Sequence, residues 1–330
     1  MIVLTDKVKE KEMKIKYLVK RILMAIPTFL GITILVYFLA SLAPGSPLSA
    51  FMQDPKISAE ELARLEVSLG LDKPVYVQYW HWLMNFLHGN FGYSFSGNRP
   101  VWDMIMDRIG ATLLLAVSSI ILSLIIAIPL GVLAASKPKS KRDYGSSILS
   151  MIMMATPNFF LGLILIYFFA VKFKLLPSSG MYDSTGTKTT LMLIKHMILP
   201  CLVLSFQQIG NWMRHMRSGL LEVMMEDYIR TARAKGLSKW SVIRKYGFKN
   251  AFIPVLTVIG MSIPTLVGGA VVTEQLFGWQ GLGTLMITAI NARDYPVIMG
   301  TTVVISVIVL GVNILTDIAY GMMDPRISYK

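Results

Sequence analysis

At 330 residues, with 54% of them hydrophobic, only 15% charged and a mean hydropathy of +0.58, the chain is too apolar for a soluble domain of its size and belongs in a bilayer. The net charge of +13 raises nucleic acid as a partner, but the cations flank apolar runs instead of lining a folded basic surface with stacking aromatics, which argues against it. The single cysteine, Cys201, excludes an intrachain disulfide and reads as a small packing residue inside an apolar run.

Residues 1–17 form a basic N-terminal segment, followed at 18–42 by the first of six apolar runs. The six are Leu18–Leu42, Thr112–Ala135, Ser146–Val171, His196–Met213, Ala251–Thr273 and Val297–Thr316. Each is long enough to cross about 30 Å of hydrocarbon as a helix, which takes roughly 17–25 residues. Nothing alternates as barrel strands do, so backbone hydrogen bonding in lipid requires helices. The expected fold is an all-α membrane protein of six transmembrane helices. The first run exceeds the roughly 7–15 apolar residues of a signal peptide, and Pro44 follows the one small-residue cleavage site, so a retained anchor is expected.

Residues 43–111 make the longest segment between runs and are expected outside the cytoplasm. Ser58-Ala-Glu-Glu61 is a capping box ahead of Leu62, Leu65 and Leu69, closed by Gly70, which predicts a helix. A second helix is predicted from Pro74, carrying Val75, Tyr76, Tyr79, Trp80, Trp82, Leu83 and Phe86, an aromatic stretch suited to the headgroup level. On its residues alone it suits a lipid-facing cover over the bundle.

The core is expected over 112–319. Pro129, Pro157, Pro200, Pro254 and Pro264 each remove a helix donor and are expected to bend or interrupt a span. Gln207, Gln208 and Asn211 lie within the fourth run, and Glu274 ends the fifth after Gly268 and Gly269. Polar groups at such depth face a cavity or a partner. The three amides are candidates for lining a pathway or for bonding helix to helix, and Glu274 reads as interfacial.

Between the fourth and fifth runs lies a basic segment, 214–250. Leu221, Met224, Met225, Tyr228 and Ala232 recur at helical spacing, with Glu222, Glu226, Arg230 and Arg233 on another face and Glu226 and Arg230 in the favourable i,i+4 order. Gly236 is placed to end a helix, and Ser238 to cap a second one carrying Val242, Ile243 and Tyr246. The segments 1–21, 136–145, 214–250 and the tail 320–330 hold 22 of the 32 Lys and Arg residues. The positive-inside rule therefore puts both termini and 214–250 in the cytoplasm.

Several chemistries are missing from the sequence. There is no G-x-x-x-x-G-K-[ST] phosphate loop, H-E-x-x-H zinc motif or G-x-S-x-G elbow, and Gly92-Tyr-Ser-Phe-Ser-Gly97 has the wrong spacing for the last. His81, His88, His196 and His215 show no ligand pattern, so no metal is implied. Apart from Asp317 at the end of the last run, the spans are nearly free of charge. That disfavours an ion-coupled secondary transporter or channel, the reading from another class, and is compatible with a passive pathway moved by external motors or with a membrane scaffold.

The segment Arg230-Thr-Ala-Arg-Ala-Lys-Gly236 resembles the cytoplasmic "EAA" loop of ABC-importer permeases in its oligopeptide/dipeptide form. Leu42-Ala-Pro-Gly-Ser-Pro47, Gly70-Leu-Asp-Lys-Pro74 with Gln78-Tyr79, Pro177 to Gly180, Phe277 to Gly283, Arg293-Asp-Tyr-Pro296 and Asp324-Pro-Arg326 are similar to that subfamily in order along the chain. Two departures stand out: Arg230-Thr231 replaces the leading Glu-Ala, and the late Ile-x-Leu-Pro falls on Tyr246, Gly247, Phe248 and Lys249. The resemblance implies a type I importer bundle whose docking element is Tyr228, Ile229, Arg230, Thr231, Ala232, Arg233, Ala234, Lys235, Gly236 and Leu237. It implies a second homologous permease, cytosolic ATPases that bind ATP and Mg, and an extracytoplasmic solute-binding protein docking on the outer collar. Peptides are the expected cargo, with nickel chelates, glutathione and oligosaccharides as alternatives.

Overall fold

The structure is a computed structural model that describes residues 2–42, 47–48, 57–183 and 188–323. Residues 43–46, within the Leu42–Pro47 motif, and 324–330, with the Asp324-Pro-Arg326 motif, lie outside the described residues. The described chain is helical, its only β pairing an isolated bridge between Tyr93 and Pro100. The described residues fall into two compact units, one built around Leu113–Trp279 and one from Ile15–Thr112 with Gln280–Leu310.

In chain order the helices are α1 (Ile2–Leu42), α2 (Ala59–Ser68), α3 (Val75–Leu87), α4 (Val101–Ser136), α5 (Lys141–Ala155), α6 (Asn158–Leu165, with a π-helical continuation Ile166–Lys172) and α7 (Thr190–Val223). There follow α8 (Asp227–Ala234), α9 (Lys239–Val242), a π-helical turn Ile243–Gly247, α10 (Phe248–Leu276), α11 (Leu282–Ala292) and α12 (Tyr295–Met323). Among the described residues five helices are long and apolar enough to cross a membrane, or six if the bent pair α5 and α6 is one span.

That bent pair corrects the expectation of a single helix over Ser146–Val171: α5 and α6 meet at 99°. Thr156 precedes Pro157 and adopts extended backbone (φ −81°, ψ 120°), because the proline ring disfavours the helical conformation of the residue before it. The other four singled-out prolines behave differently. Pro129, Pro200, Pro254 and Pro264 all sit inside continuous helices, so of the five only Pro157 interrupts one.

The larger unit is assembled on α7, against which α5, α6 and α10 pack. Its core holds Trp212, Met213, Met216, Leu220 and Val255, and the fully buried Trp212 donates its indole N–H to Ser262 Oγ at 2.9 Å. A seam of small hydroxyls joins α4 to α7. Ser119 and Ser123 bond back to the carbonyls of Leu115 and Ser119, and Ser205 donates to Ser119 O at 3.1 Å. Small residues allow that approach: a Cβ on Gly131 would lie 2.8 Å from Met213 O, and one on Gly210 would lie 2.9 Å from Ser150 O.

In the other unit the predicted capping box is present at α2, with Glu61 N–H donating to Ser58 Oγ and Ser58 N–H to Glu61 Oε2. Gly70 follows at φ +68°. Gln78 then closes the loop between α2 and α3 by donating to the carbonyls of Leu71 and Lys73. Tyr79 is buried and its hydroxyl meets Thr33 Oγ1 of α1 at 3.1 Å.

Candidate functional site

The segment 214–250 leaves the end of α7, turns through 224–226 and returns into α10. Glu226 has extended backbone and stands as the N-cap residue of α8. It lies outside the helix, so the expected Glu226–Arg230 pair is replaced by Arg230 Nη1 to Asp227 Oδ1 at 3.2 Å. The apolar stripe expected to run from Leu221 to Ala232 is likewise divided between two helices, because α7 stops at Val223. Gly236 takes φ +78°, and Ser238 caps α9 by accepting from Ser241 N–H.

Two side chains fasten α8 to the fold. Ile229 and Ala232 are buried in a cluster with Val242, backed by Val223, Met224 and Tyr246. Tyr228 OH also accepts from Asn250 Nδ2 at 2.8 Å. Arg230, Thr231, Arg233, Ala234, Lys235, Gly236 and Leu237 are exposed, as is Tyr228. Ala232, on the apolar stripe of the sequence, is an inner anchor. The outer surface mixes Arg230, Arg233 and Lys235 with exposed Met225, Tyr228, Leu237 and Trp240. Such a mixture of cations with large apolar groups suits a protein partner, because aromatic and apolar anchors carry most interface energy while the charges at the rim orient.

Below this element, Arg217 of α7 grips Asp143 of α5. Nη2 donates at 3.0 Å, Nε makes the second contact, and Lys139 N–H donates to the same carboxylate at 2.8 Å. Asp143 is 2% exposed. Neither residue was singled out in the sequence, although Ser140-x-x-Asp143 carries the spacing of an N-cap. Ser140 does accept from Asp143 N–H.

The pathway candidates separate. Gln207 and Gln208 line a cavity of about 350 Å³ together with Asn158, Leu204, Thr265 and Gly269, while Asn211 and Glu274 do not line it. Glu274 is fully buried near the end of α10, where its carbonyl accepts from Trp279 N–H at 2.8 Å. Gln207 Nε2 donates to Thr156 O at 2.9 Å, a carbonyl freed by the break at Pro157. Gln208 Oε1 and Asn158 Oδ1 are buried and have no hydrogen-bond partner among the described residues. An unmet buried acceptor costs about 1–3 kcal/mol. Asn158 was overlooked in the sequence, although an Asn within an apolar run is itself the signal.

The smaller unit has a second polar feature. Asp294, at the start of α12, is 2% exposed and accepts from Ser94 Oγ at 2.5 Å and from the N–H groups of Phe95 and Ser96 at 3.2 and 3.3 Å. Beside it opens a cavity of about 830 Å³ walled by Lys73, Gln78, His81, Trp82, Asn85 and Tyr295. Among the described residues no group of His, Cys, Asp and Glu is arranged to hold a metal.

Apolar spans with an anchored helix, open on its outer face, slung between two of them suit a membrane permease. The family model of the "Binding-protein-dependent transport system inner membrane component" matches residues 127–329, and its N-terminal companion matches 14–116. The oligopeptide transport system permease protein AppB of Bacillus subtilis is 45% identical over 95% of this chain and 99% of its own length. The dipeptide transport system permease protein DppB of Escherichia coli K12 is 39% identical over 96% and 99%. In fold, the chain is similar to one in the inward-facing MetNI methionine ABC transporter, with a TM-score of 0.55, 20% identity, and coverage of 68% of this chain and 98% of that one. The chain belongs to the binding-protein-dependent transport system inner membrane component family, and it is a multi-pass permease subunit of an ABC importer.

Proposed function

We propose that this chain forms half of the translocation pathway of an ATP-driven importer of oligopeptides or dipeptides in a prokaryotic cytoplasmic membrane. A second, homologous permease forms the other half. Cytosolic ATPases, which bind ATP and Mg, grip the face of Tyr228–Leu237. An extracytoplasmic solute-binding protein delivers cargo to the region 43–111, and both termini face the cytoplasm. The peptide cargo is carried over from the relatives AppB and DppB.

One observation supports the docking role above the rest. α8 buries Ile229 and Ala232 against the fold yet leaves its cationic and apolar outer face open, and it stands between the two longest packed helices of its unit. Positive-inside topology requires only the charges. It requires neither the inner anchor nor the left-handed turn at Gly236. A pull on α8 is passed directly to α7 and α10.

The test is co-purification of the ATPases with Gly236→Pro and with the pair Arg230→Glu and Arg233→Glu, with membrane insertion followed in parallel. Inserted variants that lose the ATPases support docking. Retention of the ATPases by every inserted variant overturns it.

A further inference from the structure

The cavity between α6, α7 and α10 has a wall of uncommon chemistry for a bilayer-spanning bundle. Asn158, Gln207, Gln208 and Thr265 contribute to it, and none of its lining side chains is ionisable. Gln208 is 7% exposed, and its Oε1, like Asn158 Oδ1, is an acceptor with no partner among the described residues. A charged ligand enters such a wall at a heavy desolvation penalty, because nothing there offsets its charge. A neutral N–H donor satisfies it directly.

The α10 side of the cavity carries Gly268 and Gly269 along with Thr265 and Leu266. A Cβ on Gly268 meets nothing within 4 Å, and one on Gly269 reaches Asn158 Nδ2 at 3.5 Å and Leu204 at 3.7 Å. The site thus sets the carboxamides of α6 and α7 beside two glycines that leave room along α10. With water taking about 30 Å³ in the liquid, about 350 Å³ holds a short piece of peptide. A carboxamide offers the same donor and acceptor pair as a peptide group and reads no side chain.

We propose that this cavity is a subsite for the main-chain amide of a peptide in transit, with Gln208 Oε1 and Asn158 Oδ1 accepting from its N–H groups. The proposal rests on the peptide-importer reading. It makes recognition in the membrane independent of cargo sequence, which the uncharged wall requires. Gln207 positions the site from behind through its bond to Thr156 O.

The test uses the assembled importer, with its partner permease, ATPases and binding protein, in proteoliposomes. ATP-driven uptake of trialanine is compared with uptake of trialanine methylated at both peptide nitrogens, which removes the donors and keeps the carbonyls. Any preference of the binding protein is common to all variants, so a change in the uptake ratio reports this chain. Gln208→Met keeps side-chain length, and Asn158→Leu nearly keeps volume. Each is expected to lower the ratio by about tenfold, the scale of one buried hydrogen bond, with uptake of the methylated peptide within twofold of the unaltered chain. Gly269→Val, which narrows the cavity beside Asn158 Nδ2, is expected to abolish uptake of both peptides while the ATPases stay bound.

Equal losses for both peptides in Gln208→Met and Asn158→Leu overturn the subsite in favour of packing. An unchanged ratio, or full uptake by Gly269→Val, overturns it too. Variants that shed the partner permease assign the carboxamides to a subunit seam and overturn it as well. Absence of any ATP-driven uptake by the unaltered assembly fells the importer reading, and the subsite falls with it.

Discussion

Gly210 shows how closely this bundle depends on single atoms. A Cβ there would lie 2.8 Å from Met153 Cβ and 2.9 Å from the backbone oxygen of Ser150, and a backbone oxygen cannot swing aside as a side-chain tip can. Gly210→Ala should therefore push α5 from α7 and destabilise the protein by about 1–3 kcal/mol. This is read as earlier thermal aggregation of the detergent-solubilised protein, whereas an unaltered transition would mean the helices pack less closely than described. Glu61 offers a residue-scale pH test. The N–H and hydroxyl of Ser58 bond its carboxylate and hold its pKa below the ordinary glutamate value, so the charged form is the one the folded cap favours. A depressed carboxylate contributes stability that is full above the unfolded value of about 4.3 and is lost as pH falls through the folded value. Amide exchange at the start of α2, corrected for the intrinsic pH dependence of exchange, should accelerate below that range. In Glu61→Gln, which keeps the capping geometry without the titration, the acceleration should vanish; persistence there would assign the pH effect to another group.

Elements in this chain are held by ties whose partners lie far apart in sequence. Asp143 and Arg217 join α5 to α7 across 74 positions, close to where α7 gives way to the turn before α8. Because Asp143 is buried, Arg217→Met leaves an uncompensated carboxylate, and the loss should be about 3 kcal/mol. The pair Asp143→Leu with Arg217→Met should regain most of it, since no charge is then stranded. Thermal denaturation of the three variants decides the matter, and additive losses in the double variant would show that the pair is not coupled. The same distance explains what was legible in the sequence. The capping box at Ser58, the turn at Gly236 and the cap at Ser238 are local chemistry and could be read directly. The broken helix at Pro157 could not, because five prolines carry the same intrinsic penalty, and in a bilayer neighbouring helices re-satisfy the groups freed at most of them. Asp143–Arg217 and the meeting of Asn158 with Gln208 needed the tertiary fold. Four motif fragments turn out to hold contact residues. Gln78-Tyr79 closes a loop and reaches α1, the Ser94 loop binds Asp294, and Gly180 N–H donates to Phe277 O.

At the scale of the molecule, the proposed direction of transport depends on which side of the membrane each segment occupies. Charge makes that testable. The segments 1–21, 136–145, 214–250 and 320–330 concentrate the cations, and moving each Lys or Arg through a bilayer centre is opposed by about 2.5–3.5 kcal/mol on insertion scales. Nine cations in 214–250 thus outweigh any single competing signal, and the docking face should be cytoplasmic while α2 lies outside. Cys201 is buried, so the native chain gives little thiol background and single cysteines can be added at exposed positions. With a membrane-impermeant maleimide, Ala63→Cys on α2 should label in cells with an intact cytoplasmic membrane, and Lys235→Cys only after that membrane is opened. The reverse pattern would invert the orientation and detach α8 from any cytosolic ATPase, since the anchored face would then look outward. Labelling of both in intact cells would mean that the chain does not hold one topology. With that pattern, the proposed docking makes the inner anchor at Ile229 and Ala232 the point where ATPase movement would enter the membrane fold, because a helix fixed on one face and open on the other can carry a pull from a partner into α7 and α10.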